Sequence, residues 1–105
     1  MVDRLILCKA EDIESGEVKS FEVNGLHIAL VKIADEFYAV TDRCSHENYA
    51  LSDGEVWEDE VEIECPRHGS TFDLRTGAPC SLPATEPIQT FEVEIVEDEV
   101  RVKLP

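Results

Sequence analysis

The chain has 105 residues, 43% of them hydrophobic, which suits a single domain over residues 1–105 with a small core. Its 24 acidic and 9 basic residues leave a net charge of −15. That balance argues against nucleic acid and anionic membranes, which need a basic face, and is compatible with steering toward a basic partner or with solubility alone.

The first eight residues hold only a short apolar run, and Glu11 and Asp12 follow soon after. They lack the hydrophobic region of a signal peptide and the length of a membrane span, so a cytoplasmic location is expected. In a reducing compartment, Cys and His at short spacing read better as metal ligands than as disulfide partners.

Taken in chain order, the sequence reads as short strands separated by turns. Residues 5–9 form the first expected strand. Residues 18–23 and 26–33 flank Asn24-Gly25, a strong signal for a type I′ hairpin turn. Residues 37–40 follow after Asp35-Glu36. Residues 61–64 alternate apolar and acidic, as a half-buried strand does. Residues 71–74 precede the turn at Thr76-Gly77. Phe91, Val93 and Ile95 alternate with acidic residues as one strand, and Val100, Val102 and Leu104 alternate as the last, with residues 97–99 joining the two. Residues 47–57 have room for one helical turn, interrupted by Ser52-Asp53-Gly54. The sum is an all-β fold, sandwich or barrel. The proline-rich residues 79–87 cannot occupy a central strand and are expected to form an ordered surface loop, a candidate lid.

Two Cys/His pairs carry the chemistry. Cys44-x-His46 and Cys65-x-x-His68 are separated by the 18 residues 47–64. Each follows an expected strand and precedes turn residues, as two hairpin tips approaching one another would. Thiolate and imidazole together suit either a Cys₂His₂ zinc site or a [2Fe–2S] cluster with two Cys on one iron and two His on the other. Zinc knuckles usually pair their sulfurs closely, whereas here each loop donates one Cys and one His.

With Pro66 after the second Cys and Gly69 after the second His, the pattern resembles a Rieske ferredoxin. The similarity is greatest to the stand-alone ferredoxin components of multicomponent ring-hydroxylating dioxygenases. It spans nearly the whole chain, including Thr76-Gly77 and the Pro83-Ala84-x-x-Pro87 segment. The resemblance implies a Rieske-type antiparallel β-sandwich. A small cluster-binding subdomain would be built from two loops, at about residues 43–49 and 65–70. It implies one [2Fe–2S] cluster, with Cys44 and Cys65 on the inner iron and His46 and His68 on the solvent-facing iron. Two neutral imidazoles in place of two thiolates make reduction easier than in an all-cysteine cluster. The extra cysteines of the high-potential respiratory type are replaced by Tyr49 and Arg67, and its hydrogen-bonding Tyr by Phe72, while Ser70 matches. A potential near the low end of the Rieske range is therefore expected, nudged upward by Ser70.

The function implied is that of a monomeric one-electron carrier with no catalytic residue. It would serve a flavin-dependent NAD(P)H ferredoxin reductase and a terminal oxygenase, with no nucleic acid or membrane as partner. A redox sensor using the same cluster and a zinc-stabilised interaction module are the rival readings. Cys8 is expected to pack in its strand, and Cys80 to be a small packing residue within the lid. His27 is expected to be structural or at the surface. Tyr49 and Trp57 are expected beneath the first loop, and Arg67 at a docking tip.

Overall fold

A computed structural model describes residues 4–23, 25–43, 49–66, 69–81 and 85–103. The described residues form ten strands. They are β1 (Arg4–Lys9), β2 (Val18–Val23), β3 (Leu26–Ile33), β4 (Glu36–Thr41), β5 (Val56–Trp57), β6 (Glu62–Glu64), β7 (Thr71–Asp73), β8 (Thr90–Phe91), β9 (Val93–Val96) and β10 (Glu99–Lys103). Single 3₁₀ turns occupy Ala10–Asp12 and Leu51–Asp53. The second is the helical turn expected within residues 47–57; the first carries no strong sequence signal.

All named strand pairs are antiparallel and form three sheets, ordered β1-β10-β9, β2-β3-β4-β8 and β5-β6-β7. The second sheet is the middle layer. Ile28, Leu30, Ala39 and Phe91 pack with Val100 and Val102 on one of its faces. Ala29, Val31 and Val40 pack on the other with Leu51, Ile63, Cys65 and Phe72. This explains the unbroken apolar run Ile28-Ala29-Leu30-Val31, since a strand covered on both faces has no side that must be polar. The all-β sandwich with a small added subdomain is thus the observed architecture. The subdomain is the β5-β6-β7 sheet.

The hairpin at residues 24–25 has the expected two-residue register, with Val23 opposite Leu26, and Gly25 sits at φ 81°. The connection between β9 and β10 is an equally tight turn. Val96 faces Glu99, and Glu97 and Asp98 both adopt positive φ, 49° and 68°. Type I′ geometry demands this, although neither residue is Gly.

The expected strand through Phe91, Val93 and Ile95 is corrected. It breaks at Glu92, leaving Phe91 paired to Ala39 in the middle sheet and Val93 paired to Val102 in the outer one. The Glu92 carbonyl instead accepts the Lys103 N–H at 2.9 Å. Alternation alone does not reveal a strand that changes sheets, because Phe91 and Val93 on either side of the break pack into the same core, although Ile95 is exposed.

Candidate metal centre

The stems of the two Cys/His loops are adjacent. The first begins at the end of β4, where the Thr41 N–H donates to the Gln89 carbonyl at 2.9 Å and the Asp42 N–H to the His27 carbonyl at 2.8 Å. It returns through Tyr49 and Ala50 into the 3₁₀ turn, which closes with the Gly54 N–H on the Leu51 carbonyl at 2.9 Å. The second loop begins where β6 ends. There the Cys65 N–H donates to the Ser70 carbonyl at 2.7 Å and the Gly69 N–H to the Cys65 carbonyl at 3.1 Å. Gly69 has φ 73°, a left-handed conformation that Gly adopts without steric cost.

The stems are clamped to each other. The Glu64 N–H donates to the Glu55 carbonyl at 2.8 Å. Gly54 lies against the Glu64 carbonyl so closely that a Cβ there would overlap the oxygen. The residue before Cys65 is therefore held against the segment that leaves the first loop. The Trp57 indole N–H, from β5, reaches the Glu64 carboxylate at 3.2 Å.

Of the four expected ligands, Cys65 lies among the described residues. It has no solvent exposure and packs in the same core cluster as Leu51, Ile63 and Phe72. Cys44, His46 and His68 lie outside the described residues, as does Arg67. A buried thiol at the base of a tight loop fits an inner-iron ligand: sulfur is the soft donor that iron–sulfur clusters take, and the surrounding core keeps water away. Ser70 is also fully buried, and Phe72 is wholly within the core opposite Ile63.

The proline-rich segment docks on the free edge of β7. Pro79 bridges to Phe72, the Asp73 N–H donates to the Ala78 carbonyl at 2.9 Å, and the Cys80 N–H donates to the Thr71 carbonyl at 2.7 Å. The Thr71 N–H is taken by the Ser81 hydroxyl at 3.0 Å. Residues 82–84 lie outside the described residues. Beside this edge the Arg75 guanidinium, bonded to the Asp73 carboxylate at 3.1 and 3.2 Å, holds that carboxyl below its usual pKa.

Several expectations change. Cys80 is exposed rather than packed; partial desolvation and then the neighbouring Glu62 carboxylate push its thiol pKa up. Trp57 and Tyr49 are 43% and 40% exposed, and residues 44–48 of the first loop, beneath which they were expected, lie outside the described residues. His27 is at the surface, 3.9 Å from Glu22, as expected. Cys8 is half-buried and packs on the outer core. Sequence reasoning missed Gly54 and Asp42. The Asp42 carboxylate is buried and bonds to Ser20 and Ser52. The available signal was position: both sit in the polar, turn-rich flanks of the first Cys/His pair.

The chain belongs to the Rieske [2Fe-2S] domain family, whose pattern matches residues 3–92. It is a ferredoxin of that family, an electron-transfer component rather than a catalyst, and carries one [2Fe–2S] cluster. It is 38% identical over 104 residues to the 3-phenylpropionate/cinnamic acid dioxygenase ferredoxin subunit of Escherichia coli (strain K12), covering 99% of this chain and 96% of the relative. Its fold matches the ferredoxin of carbazole 1,9a-dioxygenase from Nocardioides aromaticivorans IC177 with a TM-score of 0.92 and 32% identity, over 94% of this chain and 95% of that one. It also matches a chain in a complex of reduced oxygenase and oxidized ferredoxin in carbazole 1,9a-dioxygenase, with a TM-score of 0.88 and 40% identity, over 95% and 92% of the two chains. Among the described residues, no helix is long and apolar enough to cross a membrane.

Proposed function

We propose that this protein carries single electrons from an NAD(P)H-dependent flavin reductase to a terminal oxygenase in the cytoplasm. It does so as a monomer folded as one domain over residues 1–105. Cys44 and Cys65 would hold the inner iron of the cluster, and His46 and His68 the outer iron. When bound, the cluster supplies a site that takes up and gives back one electron. The chain clamps the stems of the two loops and buries Cys65, and His46 and His68 would lie on those loops.

The observation that carries this reading is the clamp between the stems, Gly54 on Glu64 beside a buried Cys65. It brings the bases of two Cys/His loops together, as a cluster shared by both loops requires. The named relatives support the oxygenase as recipient, since one matched ferredoxin is seen in complex with an oxygenase.

The test is composition followed by turnover. Purified protein is expected to hold about two irons and two acid-labile sulfides per chain, with the low average g-value of a His-ligated cluster when reduced. Reduction by a flavin reductase and reoxidation by an oxygenase should both be fast. Cys65→Ser should abolish the cluster. Stoichiometric zinc without labile sulfide, or a cluster that no reductase reduces, would overturn the proposal.

A further inference from the structure

Asp42 is a charged side chain inside the protein, 4% exposed. Its Oδ1 accepts the Ser52 N–H at 2.6 Å, and its Oδ2 accepts the hydroxyls of Ser20 at 2.6 Å and Ser52 at 2.7 Å. All three bonds are donated to it. That arrangement satisfies an ionised carboxylate, which is acceptor-only.

The partners make a chord across the first ligand loop. Asp42 enters residues 44–48, and Ser52 belongs to the turn that leaves them. Ser20 fixes the same carboxylate to β2, and the Asp42 N–H fixes the backbone to the His27 carbonyl of β3. Closing a loop at its base removes conformational freedom that ligation would otherwise have to restrain. Two peptide units separate Asp42 from Cys44, a Cα span of at most roughly 7 Å.

We propose that Asp42 is a positioning residue for the cluster: it ties together the two stems of the first loop, and its buried negative charge opposes the added electron. The proposal rests on Cys44 being a ligand. A carboxylate in the core could serve packing alone, and that role would leave the reduction potential untouched.

Asp42→Asn separates charge from shape. The amide oxygen can keep the Ser52 N–H, and the amide NH₂ meets two hydroxyls that can rotate to accept. Removing one partly screened negative charge close to the centre is expected to raise the one-electron reduction equilibrium, on the order of tenfold. For a one-electron couple that is a shift of about +59 mV. Ser52→Ala does the converse, keeping the charge and cutting one bond. It is expected to release iron to a chelator several-fold faster than wild type, with no rise in potential.

An Asp42→Asn protein that holds its cluster at the wild-type potential would overturn the inference. Should that variant fail to assemble, Ser52→Ala decides: faster iron release supports the tie, and wild-type release overturns it. Iron and sulfide in the wild-type protein keep this outcome distinct from failure of the ligand assignment, which a wild-type protein without them would reveal.

Discussion

Gly54 packs its α-carbon directly against the carbonyl of Glu64, leaving no space for a side chain between the strap that leaves the first ligand loop and the residue that enters the second. Its φ of −91° is one any residue adopts, so close approach rather than backbone conformation requires glycine here. Gly54→Ala should therefore act by overlap alone. It is expected to cost about 1–3 kcal/mol, the range for inserting a methyl group into a packed site. Thermal unfolding and the rate of cluster loss measure it, and a variant as stable as wild type would mean that the clamp gives way freely.

Ser70 is fully buried, and its backbone carbonyl holds the Cys65 N–H. A hydroxyl at this position stabilises the reduced state if it donates toward ligand or cluster sulfur. Ser70→Ala is expected to lower the reduction equilibrium about fivefold, the equivalent of one hydrogen bond of about 1 kcal/mol. Protein-film voltammetry reads the change. An unchanged potential would place the hydroxyl in a purely structural role.

The acidic surface divides into two populations. On the outer sheet Glu94, Glu99 and Glu92 pair with Arg4, Arg101 and Lys103. On the cluster-binding subdomain Glu55, Asp59 and Glu60 are exposed and make no ion pair with the described residues, whereas Glu58 is bonded to the Ser15 hydroxyl at 2.8 Å. A hydroxyl partner leaves the Glu58 charge in place, so steering should draw on all four. Neutralising Glu55, Asp59 and Glu60 together is expected to slow association with the oxygenase several-fold at low salt. It should also flatten the salt dependence, since the screening length falls to roughly 8 Å at physiological strength. The cluster spectrum should be unchanged. Stopped-flow rates independent of salt in wild type would leave solubility as the role of the charge.

Cys80 is exposed, but desolvation and Glu62 raise its thiol pKa. The reactive thiolate fraction is thus smaller than for an ordinary thiol at the same pH. Alkylation of the holoprotein should be slow near neutrality, accelerate as pH rises, and modify Cys80 before the half-buried Cys8. It should not bleach the cluster. Mass mapping after a pH series checks the order. Bleaching in step with Cys80 modification would mean that this thiol supports the centre.

Asp73 has its carboxyl pKa lowered by Arg75, and the lowering stabilises the turn that carries Gly77 and Ala78. A depressed carboxyl contributes stability above its unfolded pKa of about 3.9, and that contribution is lost as pH falls through the folded value. Amide exchange at Gly77 and Asp73 should accelerate, relative to other turns, below about pH 4. Asp73→Asn should exchange faster at neutral pH and lose this acid dependence. Parallel behaviour of wild type and variant would dismiss the ion pair as a contributor.

The sequence by itself determined the chemistry and most of the strands. Cys and His at those spacings narrow the site to zinc or a [2Fe–2S] cluster, and the resemblance carried by the whole pattern selects the cluster, because ligand type and order do not depend on where the chain goes. The Asn24-Gly25 hairpin and the apolar run through Ile28 to Val31 were legible because turn geometry and two-sided burial act over a few residues. Only the tertiary structure decided what depends on distant neighbours. Glu92 breaks a strand because its two halves meet different sheets, and Trp57 is exposed because β5 is the edge of a three-stranded sheet. Gly54 must be glycine because Glu64 lies against it, and Asp42 can be buried because Ser20 and Ser52 converge on it from either side. Alternation and composition describe each residue's preference for water. They do not say which other part of the chain will satisfy its hydrogen bonds.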